Sequence, residues 1–294
     1  MKSGFVSIVG RPNVGKSTLL NAIIDRKVAI TSDVAGTTRN LIEGIYHGKD
    51  SQIIFVDTPG VSKPLDKLGK VLNKQAYSQM VDVDLVLLVV DIKSGIGRGD
   101  KYLMDLLLEK NIPVILVINK IDKVSNETLI MAINEFKDYN FAEIVPVSAM
   151  YDDNISHLIE VIEKYLKDNI KYYGEDVITS VSVPFMVSEL VREKLLNNTR
   201  EEIPHSITCY TRKLENTKDI VNIIVDIIVD RPSAKKIVIG HNGEMLKKVG
   251  VLARKEIEEM MDKKVYLELF VKVVENWKDK EKYLKELGFF DNYE

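Results

Sequence analysis

Gly10-Arg11-Pro12-Asn13-Val14-Gly15-Lys16-Ser17 follows the apolar run Phe5–Val9 and leads into a helical pattern from Thr18 to Asp25. The stretch matches the full phosphate-binding loop pattern, in the strand–loop–helix context that its chemistry needs. Its glycines let the backbone curl so that successive N–H groups face phosphate oxygens, and the helix N-terminus adds partial positive charge. Lys16 is expected to reach the β- and γ-phosphates, and the Ser17 hydroxyl to bind Mg2+. Working outward, apolar runs recur at Ile53–Val56, Leu85–Val90, Val114–Ile118 and Ile144–Val147. Most are continuous rather than alternating, as expected of parallel strands buried on both faces. Helical patterns lie between them, the clearest carrying Ile155, Leu158, Ile159, Ile162 and Leu166 on one stripe. This alternation predicts a doubly wound, mostly parallel α/β sheet over residues 1–168, with its site at the strand carboxyl ends.

The loop alone does not separate ATP from GTP. Asn119-Lys120-Ile121-Asp122, directly after the run Val114–Ile118, makes that decision. The Asp122 carboxylate is suited to accept from guanine N1–H and the exocyclic amine, donors that adenine lacks. An unpaired buried carboxylate costs ~1–3 kcal/mol or more, which sets the preference. Lys120 is expected to lay its stem along the base and Asn119 to brace the loops. Ser148-Ala149 is expected to offer a backbone N–H to guanine O6.

Asp57-Thr58-Pro59-Gly60 follows the run Ile53–Val56. Asp57 is placed to hold Mg2+ through water, and the Gly60 N–H to meet the γ-phosphate. In Ala35-Gly36-Thr37-Thr38-Arg39, Thr38 is the choice for the metal ligand, with Thr37 the alternative. Lys16, Thr38 and Gly60 are therefore the candidate catalytic residues. Loss of the γ-phosphate would release both loops, an order–disorder switch. Val61 stands where Ras-like proteins carry a water-positioning glutamine, and a hydrocarbon side chain cannot orient water. Turnover is then expected to be slow, or to use another device. One such device is a K+ ion near the phosphates with Asn13 as a ligand; a plain loop role for Asn13 is the equal alternative.

The 294 residues imply two domains. A formal net charge of -3 gives the whole molecule no strong pull on nucleic acid, so any RNA-binding face must be local. The single cysteine, Cys209, excludes an internal disulfide framework and reads as core filler. No apolar leader stretch precedes Phe5, and the longest apolar runs are far short of a membrane span, so a cytoplasmic protein is expected. The four histidines lack metal-ligand spacing.

Residues 169–180, with Tyr172, Tyr173, Gly174, Glu175 and Asp176, break the α/β rhythm and read as a linker. Beyond it, over 181–294, the pattern becomes α+β. A helix is expected near Pro184 to Asn197, then strands near Ser206–Leu214 and Ile220–Asp230 and a short apolar segment, Lys236–Ile239. A longer helix follows with Leu246, Val249, Ala253, Ile257 and Met260, then a strand alternating through Val265, Leu267, Leu269, Val271 and Val273. A last helix closes near Leu287, with Gly288 as its stop. Ile239-Gly240-His241-Asn242-Gly243 holds a Gly-x-x-Gly turn before the longer helix, the core of a KH module whose glycine loop lets an RNA backbone approach. Ile237 and Ile239 are expected to line the groove, with Lys236, Lys247 and Lys248 among the basic residues around it. Trp277, Tyr283, Phe289 and Phe290 read as anchors of the last helix, with base stacking as the alternative.

The chain resembles the Era family of bacterial ribosome-assembly GTPases over nearly its whole length. The resemblance is carried by Gly10–Ser17, Asp57–Gly60, Lys63-Pro64, Lys67-Leu68-Gly69 and Asn119–Asp122. Beyond these it rests on Ser188–Lys194, Ile203–Ser206, the Gly240–Gly243 loop and Val271–Trp277. It implies an N-terminal GTPase domain and a C-terminal type II KH domain. It also implies GTP hydrolysis, a monomer, binding of 16S ribosomal RNA near its 3′ end, and a role in 30S subunit assembly. A fraction associated peripherally with the inner membrane is implied as well. Ala35-Gly36 departs from the Pro-Gln more usual there, which makes that loop more flexible. The rival reading keeps the GTPase switch and gives the second domain a protein partner or a membrane in place of RNA.

Overall fold

The structure is a computed structural model that describes residues 1–290. It divides into two compact units. In the first, six strands form one sheet in the order β2-β3-β1-β4-β5-β6. These strands are β1 (Lys2–Val9), β2 (Ile42–His47), β3 (Ser51–Asp57), β4 (Leu85–Asp91), β5 (Val114–Asn119) and β6 (Glu143–Pro146). All neighbours run parallel except β2, which pairs antiparallel with β3 at the edge. Every residue of β3, β4 and β5 is buried, which explains why their sequences lack alternation. The helices of this unit are α1 (Lys16–Ile24), α2 (Lys67–Ser78), α3 (Arg98–Leu108), α4 (Asn126–Phe136) and α5 (Ile155–Glu163). The strand order reverses on either side of β1, so the loop after β1 opens at the switch point where such sheets bind ligands.

Three of the apolar runs extend one residue further than their hydrophobic pattern, and in each case the added residue is polar. Asp57 ends β3, Asp91 ends β4 and Asn119 ends β5. Strand β2 is absent from the sequence reading. Its stretch is short, lies at an edge and is interrupted by Gly44, so neither a continuous run nor a clean alternation marks it.

The segment 169–180 belongs to the first unit and is not a loose tether. Gln52 Oε1 accepts the N–H groups of Tyr172 (2.8 Å) and Tyr173 (3.0 Å), and the Ile45 N–H donates to the Ile178 carbonyl (2.9 Å). The Ile45 bond, together with the Thr179 hydroxyl on the Glu43 carbonyl (2.5 Å), covers the outer edge of β2, whose backbone would otherwise present unpaired groups. Composition signals a break in rhythm there, but it does not reveal that the sheet edge needs covering.

The second unit comprises residues 181–290 with two short stretches from earlier in the chain, Ser32–Thr37 and Asp66–Leu68. Its helix α6 (Val183–Asn198) starts at Ser182, whose hydroxyl accepts from the Phe185 N–H, and has proline in the first turn. The four-residue α7 (Ile203–Ser206) leads into a sheet of β7 (Ile207–Asn216), β8 (Ile220–Val229) and β9 (Lys264–Val273). Strands β7 and β8 are antiparallel, whereas β8 and β9 are parallel. A parallel pair needs a crossover, supplied by α8 (Pro232–Ile239) and α9 (Glu244–Met261). The short apolar segment at Lys236–Ile239 is thus the end of helix α8, which buries Ala234 and Val238 one turn apart. Helix α9 buries Val249, Ala253 and Ile257; Met260, expected on the same stripe, is exposed. Trp277 is fully buried, donates from Nε1 to the Ser206 carbonyl (3.0 Å) and stacks on Phe289 at 6.3 Å between ring centroids. It packs as an anchor of the chain end before α10 (Glu281–Glu286), leaving no face for a base. Cys209 is buried within the same unit.

Candidate functional site

The loop after β1 curls around its own lysine. Lys16 is buried, and Nζ donates to the carbonyls of Gly10 (3.2 Å) and Arg11 (3.1 Å). Burial lowers its pKa, with the nearby Asp57 charge pulling the other way. Helix α1 begins beyond Gly15 without any side-chain cap, so its first N–H groups stay available to an anion. Gly15 itself sits at φ +99°, and a Cβ there would run into Asn119 Nδ2. The position therefore needs glycine twice over, for its conformation and for the close approach of the base-side motif. Arg11 is tied outward, to the buried Asp100 carboxylate (2.7 Å) and the Gly95 carbonyl (3.1 Å). Pro12 lies against Gly60, where a Cβ would come within 2.7 Å of the proline nitrogen.

Beside the lysine, three oxygens gather from three elements. Asp57 Oδ2 accepts from Ser17 Oγ (2.6 Å), and Thr38 Oγ1 lies 2.8 Å from Ser17 Oγ and 3.4 Å from Asp57 Oδ2. Asp57 is fully buried and its Oδ1 has no partner. An orphaned carboxylate oxygen among hydroxyls is a donor set suited to a hard divalent cation. The structure brings Thr38 to this cluster, while Thr37 turns its hydroxyl back to the Val34 carbonyl (2.6 Å). Thr58 is buried and donates to the Ile8 carbonyl (2.9 Å), which fixes Pro59 and Gly60 behind it. Val61 packs into the apolar cluster under β4, far from any role in holding water.

At the base end, Asn119 braces the loops. Its Nδ2 donates to the Val14 carbonyl (2.8 Å), and its Oδ1 accepts the N–H groups of Lys120 (2.8 Å) and Ala149 (3.1 Å). Lys120 adopts φ 65° and donates from Nζ to the Asn13 carbonyl and to Asp91 Oδ2, both at 2.7 Å. Asp122, next to Ile121, accepts from Ser148 Oγ (2.6 Å), and this bond lowers its pKa, so it presents a carboxylate at neutral pH. The Ala149 N–H donates to Asn119 Oδ1 and the Ser148 N–H to the Asp153 carbonyl (3.1 Å). The sequence reading also missed Asp91. Its signal was available, because it ends a wholly apolar run just as Asp57 and Asn119 do.

In the second unit, the Gly240–Gly243 turn leaves α8 and starts α9. Gly240 has φ +76°, and a Cβ there would lie 2.8 Å from the Met245 backbone nitrogen. His241, Asn242, Lys236, Lys247 and Lys248 are exposed around it, with Ile239 half-buried. Next to the turn a groove of about 440 Å³ is lined by Gly243, Leu246, Gly250, Val251, Leu267 and Leu269, with Lys247 and Arg254 on its rim. Ile237 and Ile239, the expected lining, are not part of it. They lie on α8, and the groove is formed between α9 and β9.

Residues 5–120 match a family model described as a 50S ribosome-binding GTPase, and residues 202–278 match a KH domain model. Over 99% of this chain and 98% of the relative, the sequence is 45% identical to GTPase Era of Staphylococcus haemolyticus (strain JCSC1435). The chain belongs to the Era family of GTPases. Two Era structures are similar across 98% of this chain and 99% of theirs, each at 39% identity. One, with TM-score 0.95, is Era in complex with MgGDPNP and nucleotides 1506–1542 of 16S ribosomal RNA. The other, with TM-score 0.94, is an Aquifex aeolicus Era variant bound to GDP and AlF4-. The α/β unit is thus a P-loop GTPase fold, and the α+β unit carrying the Gly240 turn is a KH fold. No described helix is long and apolar enough to cross a membrane.

The oxygen cluster makes a pH prediction. Burial lifts the Asp57 pKa from 3.8 to about 6, with Lys16 and the two hydroxyls opposing the rise. The folded value lies above the unfolded one, so this group stabilises the metal-free fold at low pH and loses that contribution as pH rises through about 6. A cation needs the carboxylate. Mg2+-dependent nucleotide affinity should therefore fall by about ten-fold per pH unit below about 6, measured by titration with a fluorescent GDP. Asp57→Asn should remove that pH dependence.

Proposed function

We propose that this chain binds GTP with Mg2+, hydrolyses it slowly, and binds single-stranded RNA at the 3′ end of small-subunit ribosomal RNA during 30S assembly. The functional division would be a GTPase domain over 1–168, a connecting segment over 169–180 and an RNA-binding KH domain over 181–294. The observation that carries the RNA reading is the Gly240 turn. Its positive φ and the blocked Cβ position keep the turn free of a side chain at Gly240, with exposed lysines around it and an apolar groove of about 440 Å³ beside it. The similarity to an Era structure holding MgGDPNP and 16S ribosomal RNA supports the same pairing of ligands.

On this reading Lys16 leaves its two loop carbonyls for the phosphates, and Ser17, Thr38 and Asp57 hold Mg2+. The ion neutralises charge on the phosphate oxygens. The Gly60 N–H meets the γ-phosphate, and Asp122 accepts from guanine N1–H and N2. Val61 gives no help with water. A K+ ion at Asn13 would supply charge near the phosphates, and exchange of K+ for Na+ should then cut turnover several-fold with nucleotide affinity kept; equal turnover in both salts removes the ion from the account.

The RNA reading is tested with an oligonucleotide of the small-subunit rRNA 3′ end. Affinity should fall steeply with salt, as lysine–phosphate contacts release counterions. Gly240→Asp should weaken binding at least ~10-fold, through lost backbone approach and an added negative charge. Absent binding, or binding indifferent to Gly240→Asp, would instead favour a second domain that docks on a protein or a membrane.

A further inference from the structure

Helix α3 starts beside the phosphate-binding loop, and one carboxylate ties the two together. Asp100, in the first turn of that helix, is fully buried, and its Oδ2 accepts two donors. One is the Gly97 N–H (2.8 Å), which caps the helix start. The other is Arg11 Nη2 (2.7 Å), from the second residue of the loop. The same Nη2 also donates to the Gly95 carbonyl (3.1 Å). Arg11 Nε and Asp100 Oδ1 have no hydrogen-bond partner, so the grip runs through a single nitrogen and depends on close placement.

The helix start is shaped to receive that side chain. A Cβ at Gly97 would lie 3.2 Å from Arg11 Nη1, and one at Gly99 would lie 2.9 Å from Arg11 Cδ. These two bare positions make room for the guanidinium and its stem. Gly99 gives up helix propensity at an exposed position, where alanine would favour the helix more. The seat has supports of its own. Asp91 Oδ1 accepts the N–H groups of Lys93 (2.9 Å) and Ser94 (3.3 Å), and the Gly95 N–H donates to the Ile92 carbonyl (3.3 Å). A helix cap alone accounts for Asp100 and Gly97, but it leaves the bare position at Gly99 unexplained.

At the backbone end of Arg11 stands the lysine. The Arg11 carbonyl is one of the two that accept from Lys16 Nζ (3.1 Å), and the next residue, Pro12, rests against Gly60. A side chain pinned at its tip restrains the peptide at its root, so the seat on α3 sets the backbone around Lys16. The base-side contacts lie further along the loop, where Asn119 holds the Val14 carbonyl and Lys120 the Asn13 carbonyl. Phosphate grip and base reading can therefore be separated by experiment.

We propose that Asp100 is a positioning residue for nucleotide binding: with Gly97 and Gly99 it seats the Arg11 side chain and so fixes the loop backbone that receives the phosphates. The inference rests on the GTPase reading above and deepens it. It gives the Arg11 side chain a role in a loop whose pattern calls on backbone at that position, and it makes the start of α3 part of the phosphate grip.

Two variants of the full-length chain are titrated with GDP, GDPNP and inosine diphosphate, each with Mg2+. Asp100→Asn keeps a carbonyl oxygen to cap Gly97 and removes the charge that holds Arg11. Gly99→Ala leaves every charge in place and puts a methyl group where the Arg11 stem lies. Its melting temperature should equal that of wild type or exceed it, because alanine favours the helix. Both variants should bind GDP and GDPNP about ten-fold more weakly than wild type. The ratio of GDP to inosine diphosphate affinity reports the Asp122 contact with the exocyclic amine and should stay within about two-fold of wild type. Thermal unfolding identifies a variant that does not fold; Gly99→Ala, with its charges retained, then decides. A folded variant that binds GDP and GDPNP as wild type does overturns the proposal, since a purely structural Asp100 would leave affinity unmoved. A base ratio that collapses along with affinity overturns it as well, because the loss would then lie at the guanine end. Failure of the wild-type chain to bind either guanine nucleotide would instead sink the GTPase reading.

Discussion

One buried ammonium group organises the nucleotide site. Lys16 Nζ has left water, and the two carbonyls of its own loop satisfy it only in part. A charge in that position is tolerable because β1 and α1 hold the loop rigidly and because the Asp57 carboxylate stands close by. The same rigidity forces the neighbouring groups into place. Asn119 reaches Gly15 because no Cβ is there, Gly60 rests on Pro12, and Ser17 points at Asp57. On the proposed function, a phosphate in the loop would offer the lysine better partners than backbone carbonyls, and a cation would satisfy the orphaned Asp57 oxygen. The loop and the oxygen cluster are therefore two halves of one electrostatic arrangement.

Much of this was legible in the sequence, for a physical reason. Parallel strands buried on both faces read as unbroken apolar runs, so the polar residues that end them are conspicuous, as Asp57 and Asn119 were. The phosphate loop and guanine motif sit at those same ends because only there does the sheet open. What escaped were features that depend on partners distant in the chain. Strand β2 exists because β3 has an edge to offer, and residues 169–180 fold down because β2 has another. Asp91 carried a readable signal and was missed. The groove of Leu246, Leu267 and Leu269 lies between α9 and β9, a placement set by which helix faces meet the sheet and not by local pattern.

The second unit follows the same logic of a few constrained groups. The parallel pairing of β8 and β9 requires a crossover, and the crossover places the Gly240 turn between two helices. Met245 leaves no room for a side chain at Gly240, whose backbone is half-buried at the turn. Arg192 lies in the same unit, fixed by Glu189. Motif scanning registers Ser188–Lys194 only as a family likeness.

The central claim is that the strand-end arrangement selects guanine through Asp122 and grips phosphate through Lys16. Calorimetric titration of the full-length chain with GTP, GDP and ATP in the presence of Mg2+ tests it most directly. Both guanine nucleotides should bind and ATP should bind at least ~100-fold more weakly, because adenine offers the Asp122 carboxylate neither the N1–H nor the exocyclic amine donor of guanine. ATP binding within a few-fold of GTP would contradict it.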